Sequence, residues 1–165
     1  VFGCGSNTFK QLGAKIPHAY EGIFPLGFPD NIDKIACGSF HTVLLTDDNK
    51  IICYGSNTDG KSGVPKNKEK IGMNPIFPED IIISQISAGL NHTAIVDNCG
   101  YLWLFGRCLD NNLHTSSKHV FTNFYEPTKS SYEFDSEILT LSSHGDAIIV
   151  KTSCGTVYQF SNSLK

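Results

Sequence analysis

Arginine is almost missing from this chain: Arg107 is the one arginine among 13 basic residues in 165. Guanidinium forks grip phosphates and carboxylates through paired bonds, so a site built on several of them is excluded. The 16 acidic residues leave a net charge of −3, with no basic field to attract nucleic acid. No apolar run approaches the ~18 residues that a membrane helix needs. Ile81-Ile82-Ile83 is ended at once by Ser84 and Gln85. The chain opens Val1-Phe2-Gly3, with no methionine and no basic stretch leading into an apolar one. That opening predicts a fragment, a processed chain or a trimmed one, without a signal peptide.

Six cysteines stand at 4, 37, 53, 99, 108 and 154, with no C-x-x-C pair and no zinc-type Cys/His spacing. They predict buried free thiols in a reducing compartment, hence an intracellular protein, cytoplasmic or nuclear. The glycosylation sequon Asn91-His92-Thr93 then reads as a chance match. Nucleotide fingerprints are also lacking. Gly3-Cys4-Gly5-Ser6-Asn7-Thr8 falls short of G-x-G-x-x-G at Thr8, no helix pattern follows it, and no P-loop occurs. No G-x-S-x-G is present, and Cys108 with His114 has no setting for a cysteine nucleophile. The sequence therefore predicts no cofactor, no metal and no direct nucleotide binding.

What is present is repetition. Ile35-Ala36-Cys37-Gly38-Ser39-Phe40-His41-Thr42 lies over Ile86-Ser87-Ala88-Gly89-Leu90-Asn91-His92-Thr93 at an offset of 51. The same offset carries Cys53-Tyr54-Gly55 onto Leu104-Phe105-Gly106. Upstream, Val1 to Thr8 resembles Ile51 to Thr58 at offset 50, and a second glycine follows eight residues after the first in both: Gly5 to Gly13, Gly55 to Gly63. Downstream, Ala147-Ile148-Ile149-Val150 answers Thr93-Ala94-Ile95-Val96 at offset 54. That puts Asp146 at the histidine position and Ser161 at that of the closing glycine. Units are expected at about 1–34 (partial), 35–85, 86–141 and 142–165 (partial, degenerate), within one region covering 1–165.

Each unit reads as β-strands. Thr42 to Leu45 and Ile51 to Tyr54 are short apolar runs around the polar turn Asp47-Asp48-Asn49-Lys50. Asn49 is matched by Gly100, and both types tolerate the positive φ of a tight hairpin. No long window has helical period. A β unit of about 51 residues cannot bury both faces of its sheet alone, whereas radial stacking of such sheets does. The fold class is all-β, a partial propeller with equivalent strands at 42–45, 93–96 and 147–150 in four-stranded antiparallel sheets.

The residues then choose among propellers. Gly38-x-x-His41-Thr42, an apolar hairpin, and Tyr54-Gly55-x-Asn57-x-x-Gly60-x-x-Gly63 resemble the regulator of chromosome condensation repeat. The first copy keeps Gln11, Leu12 and Gly13 of its Gly-Gln-Leu-Gly ending, with Lys10 in place of the middle glycine. The second keeps Gly60 but has Lys61 and Ser62; the third keeps Trp103, Phe105 and Gly106 and then diverges. Gly63-Val64-Pro65 and Ala88 to His92 also resemble the secretion-regulating guanine nucleotide exchange factor branch. The resemblance implies about three blades of a seven-bladed ring. It also implies a non-enzymatic scaffold for a protein partner, with guanine nucleotide exchange on a small GTPase as the associated activity. The alternative is a propeller enzyme or lyase with a loop-borne site, for which no residue constellation speaks.

The candidate residues read as structural repeat positions. His41 and His92 are expected to be buried alike, with rings hydrogen-bonded to backbone, since both recur at one repeat position. Asn7 and Asn57 are expected to bond the backbone of the turns after their strands. Gly5, Gly13, Gly38, Gly55, Gly63, Gly89 and Gly106 read as positive-φ or close-approach positions, and Trp103 as core. Asp47-Asp48 reads as a solvated turn rather than an acid–base pair, and Lys66, Lys68 and Lys70 as a solvated loop. Partner-binding residues are expected in the loops 14–34, 64–80 and 107–137, which differ while the strands repeat.

Overall fold

The computed structural model describes residues 1–13, 19–29, 31–68, 71–109 and 121–161. Glu69, Lys70 and His114 lie outside them. Apart from short 3-10 turns at Thr58–Gly60 and Lys66–Lys68, every element is a strand. β1 (Phe2–Ser6) pairs with β2 (Ala19–Pro25). β3 (Ile32–Cys37), β4 (His41–Thr46) and β5 (Ile51–Gly55) form a second sheet. A third holds β6 (Ile83–Ala88), β7 (His92–Asp97), β8 (Leu102–Leu109) and β9 (Phe121–Lys129). The fourth holds β10 (Ile138–His144), β11 (Ala147–Thr152) and β12 (Val157–Phe160). All pairs are antiparallel.

The expected strands at 42–45, 93–96 and 147–150 are the central parts of β4, β7 and β11. Among the described residues, the expected four strands per sheet are found in the third sheet alone. In the second, the chain returns past β5 at Met73, which exchanges two backbone bonds with Cys53 (2.7 and 2.8 Å). It makes no longer ladder: Pro75 and Pro78 lack the N–H that a paired strand must donate.

The fourth sheet also corrects the repeat alignment. Ile83 faces Asp97 and Ala88 faces Thr93; in the same places Ile138 faces Thr152 and Ser143 faces Ile148. The offset along β11 is therefore 55, not 54, and Ala147, not Asp146, holds the histidine position. A slip of one residue turns a strand over, so burial decides the matter. Ile148 and Val150 are buried while Ile149 and Lys151 are exposed. The sequence matches at offset 54 were apolar against apolar and so blind to which face was meant. In the second, third and fourth sheets the first strand breaks register at one place, at Ile32/Lys34, Ile83/Gln85 and Ile138/Thr140, a β-bulge that no residue type announces.

The apolar core lies between sheets rather than within one. Val43, Leu45, Ile51 and Cys53 of the second sheet meet Ile95, Trp103 and Phe105 of the third. Ala94, Val96, Leu102 and Leu104, from the opposite face of that third sheet, meet Ile138, Ile148 and Val150 of the fourth. Strands β4 and β7 are buried at all six positions, because they run mid-sheet with both faces covered. That is the stacking of propeller blades.

Candidate protein-interaction surface

Two rims bound the stacked blades. One carries the turns from β3 to β4 and from β6 to β7; the other carries the hairpins β4–β5, β7–β8 and β11–β12. The repeat residues hold the first rim in place. His41 is 1% exposed, and its Nε2 lies 2.9 Å from Thr93 Oγ1 of the next blade. Thr93 Oγ1 donates to Lys61 O at 2.8 Å. The hydroxyl has one proton, so Nε2 carries the hydrogen and donates to it, and the imidazole is neutral. Burial, then the nearby charge of Lys61, pushes the His41 pKa down to about 3. The expected partner was backbone; the structure inserts a threonine hydroxyl between ring and carbonyl.

His92 is buried to the same degree, but Ile148 stands in the next blade where Thr93 stands for His41. Its Nε2 has no hydrogen-bond partner, and burial lowers its pKa to about 4. Both rings lie against glycine. A Cβ on Gly38 would meet the His41 ring at 2.4 Å, and one on Gly89 the His92 ring at 2.3 Å. These glycines give the ring room rather than a special φ. Gly5, Gly13, Gly55, Gly63 and Gly106 do take positive φ.

Backbone also laces the blades at this rim: Ser39 N donates to Gly89 O and, one blade on, Leu90 N to Gly145 O. Asn7 donates to Gly13 O and accepts from Leu12 N, while Asn57 donates to Val64 O and accepts from Ser62 N. Trp103 Nε1 donates to Asp97 Oδ2 at 2.8 Å, and the ring packs edge-on against Phe77. In the sequon, Thr93 is fully buried and Asn91 Oδ1 accepts from Lys61.

All six cysteines are free thiols, but only Cys53 and Cys108 are buried; Cys4, Cys37, Cys99 and Cys154 are exposed. The expectation of buried thiols fails there: Cys4 lies in β1, most of which is exposed, Cys37 ends β3, and Cys99 and Cys154 stand in turns. Burial pushes the Cys53 and Cys108 thiols up, away from the thiolate a nucleophile needs. Asp47 and Asp48 brace their turn, accepting from Asn31, Thr46 and Lys50. Among the described residues no group of three or more His, Cys, Asp or Glu could hold a metal.

What the rims offer a partner is different at each end. The turn rim exposes Phe9 and Phe40, stacked edge-on with centroids 5.2 Å apart, and the Lys61 ammonium lies under Phe40. Sequence reasoning missed this pair, because residues 9 and 40 stand in different units and neither recurs. Lys66 lies over Tyr125, so this lysine is fastened to the neighbouring blade rather than loosely solvated. The hairpin rim is acidic: Asp47-Asp48, Glu79-Asp80 and the run Glu133, Asp135, Glu137 outweigh Lys50 and Lys129.

Residues 32–61 match the model of the Regulator of chromosome condensation (RCC1) repeat. The human probable E3 ubiquitin-protein ligase HERC6 is 35% identical over 111 residues, which is 64% of this chain and 11% of that protein. The guanine nucleotide exchange factor SRM1 of Saccharomyces cerevisiae is 30% identical over 115 residues, 65% of this chain and 24% of that protein. Human regulator of chromosome condensation is 26% identical over 81% of this chain and 31% of its own length. The chain thus spans about a tenth to a third of the curated relatives it matches. Among solved structures, yeast RCC1 (Prp20) bound to Kap60 superposes with a TM-score of 0.80 over 97% of this chain and 39% of its own, at 21% identity. No helix among the described residues is long and apolar enough to cross a membrane. With its cores shared between sheets the chain folds as an arc of a β-propeller, and with Gly38-x-x-His41 and Gly89-x-x-His92 it is similar to proteins built from regulator of chromosome condensation repeats.

Proposed function

We propose that this chain is a protein-interaction scaffold whose partner class is a small GTPase. The observation that carries the reading is the exposed Phe9–Phe40 pair: Phe40 stands on a turn whose Ser39 N bonds Gly89 O of the next blade, and Phe9 in a turn held by Gln11 and Asn7. A rigid aromatic pair offers a large contact area at small entropic cost, as interface anchors do. The named activity of SRM1 supports the partner class. Exchange needs no bond chemistry: a factor that binds the nucleotide-free GTPase better than the loaded one releases the nucleotide. The 165 residues carry no P-loop or dinucleotide fingerprint, so they are expected to bind no guanine nucleotide directly and to show weak or absent exchange by themselves. The propeller-enzyme alternative has less behind it, since both histidines are buried with lowered pKa values and His41 is bonded to Thr93 of the next blade.

The test is capture of purified small GTPases, nucleotide-free and loaded, by the immobilised chain, alongside release of a fluorescent guanine nucleotide. Capture of a small GTPase, lost in Phe9→Ser/Phe40→Ser, with little release of the fluorescent nucleotide, is the expected result. Capture of none from a broad panel, or capture untouched by the double substitution, would overturn the reading.

A further inference from the structure

The opposite rim holds a cleft of about 620 Å³ between the β7–β8 hairpin and the stretch joining β9 to β10. That volume lies in the range of small-ligand and side-chain sites, roughly 300–1,000 Å³. Its walls combine Tyr101, Tyr132 and Phe134 with the carboxylates of Glu133 and Glu137.

The stretch from Tyr132 to Glu137 alternates. Tyr132 and Phe134 turn inward and lock against Tyr158 and Phe160, with Tyr132 centroids 5.0 to 5.5 Å from the other three. Glu133, Asp135 and Glu137 face outward and are exposed. Asp135 is already engaged, accepting from Thr156 and Cys154. Glu133 and Glu137 are not: the ion pairs among the described residues are Lys34–Asp33 and Lys50–Asp48. Two unpaired carboxylates are therefore held on a strip that the aromatic cluster keeps rigid. Across the cleft, the Lys129 ammonium lies 3.0 Å from the centroid of the Tyr101 ring. The ring face thus already accommodates a cation, in the geometry that favours one.

We infer that this cleft is a docking site for a segment of a partner protein that carries lysine or arginine side chains. Carboxylates at the mouth and aromatic faces within suit an alkyl stem with a positive head, and the acidic rim steers such a segment inward. Lys129 competes for the same ring and adds the one positive charge of the cleft lining. The site lies on the rim away from Phe9 and Phe40, so it stands or falls independently of GTPase docking.

The probe is a fluorescein-labelled octapeptide alternating glycine with lysine and arginine, titrated with the full chain at low salt and read by anisotropy. Glu133→Gln/Glu137→Gln is expected to weaken binding roughly tenfold, and added salt to weaken it further. Lys129→Met is expected to tighten binding. Lys68→Met, which removes the same charge from a loop remote from the cleft, is expected to leave it nearly unchanged. No binding by the unaltered chain would overturn the inference. Equal tightening by Lys68→Met and Lys129→Met would also do so, because binding would then follow net charge alone. GTPase capture is expected to survive the double glutamine substitution; its loss would overturn the assignment of a separate site.

Discussion

One hydroxyl separates the two histidine joints. Thr93 satisfies both His41 Nε2 and Lys61 O, so Thr93→Val removes two buried bonds and leaves two polar atoms unpaired. A loss of about 2–4 kcal/mol is expected, at ~1–2 for each orphaned group. The measurement is a urea midpoint; a change below about 0.5 kcal/mol would show that the bridge is not formed. Both rings also predict acid sensitivity. Their folded pKa values, about 3 for His41 and about 4 for His92, lie below the ordinary 6.5. Below pH 6.5 the unfolded chain binds protons that the folded chain refuses. Stability is therefore complete above about pH 6.5 and falls as the pH drops toward 4. The slope is up to ~1.4 kcal/mol per pH unit for each histidine. His41→Gln should reduce that slope between pH 6.5 and 4, and an unchanged slope would mean that the ring is not titrating from a buried state.

At the scale of an element, the register of β11 and the turn after β1 make separate claims. Ile148 is 4% exposed in the core against the third sheet, and Ile149 is 41% exposed. Ile148→Ala is expected to cost about 2–4 kcal/mol and Ile149→Ala under about 1. Reversal of that order in chemical denaturation would restore the offset of 54. Lys10 stands where the second unit has Gly60, and both have positive φ, 65° and 87°. A lysine pays for that conformation where glycine does not, so Lys10→Gly is expected to be neutral or stabilising by up to ~1 kcal/mol. A loss of stability would show that the lysine side chain has a role of its own. Asn49 keeps the positive φ expected of its turn, but its side chain also bonds Ile81 O and Ile83 N of the next blade, which the pairing with Gly100 did not suggest.

At the scale of the whole molecule, the third sheet belongs to two cores at once, one through Ile95, Trp103 and Phe105 and the other through Ala94, Val96 and Leu102. Neither core survives loss of that sheet, so the second to fourth sheets are expected to unfold together. The fluorescence of Trp103, the single tryptophan, reports on the first core, while far-UV circular dichroism reports on all the sheets. Coincident urea transitions are expected, with Val43→Ala and Val150→Ala each moving both by the same amount. Separate transitions would mean that the blade joints act independently.

Strand positions, turn positions and the identity of the repeat were legible in the sequence. Glycine, asparagine and histidine recur where backbone geometry admits few substitutes, and the β4 and β7 segments are apolar enough to be strands in any context. The face of β11 was not legible, because an apolar residue matches its neighbour as well as its counterpart and only packing against the third sheet distinguishes Ile148 from Ile149. The missing fourth strand beside β5 depended on where Pro75 and Pro78 met the sheet. The same limit hid the rims. Phe9 and Phe40 are 31 positions apart, and Tyr101 and Glu137 are 36 apart. Periodicity reports only what each blade shares. A binding surface is made of what the blades do not share, and stacking alone brings those residues together.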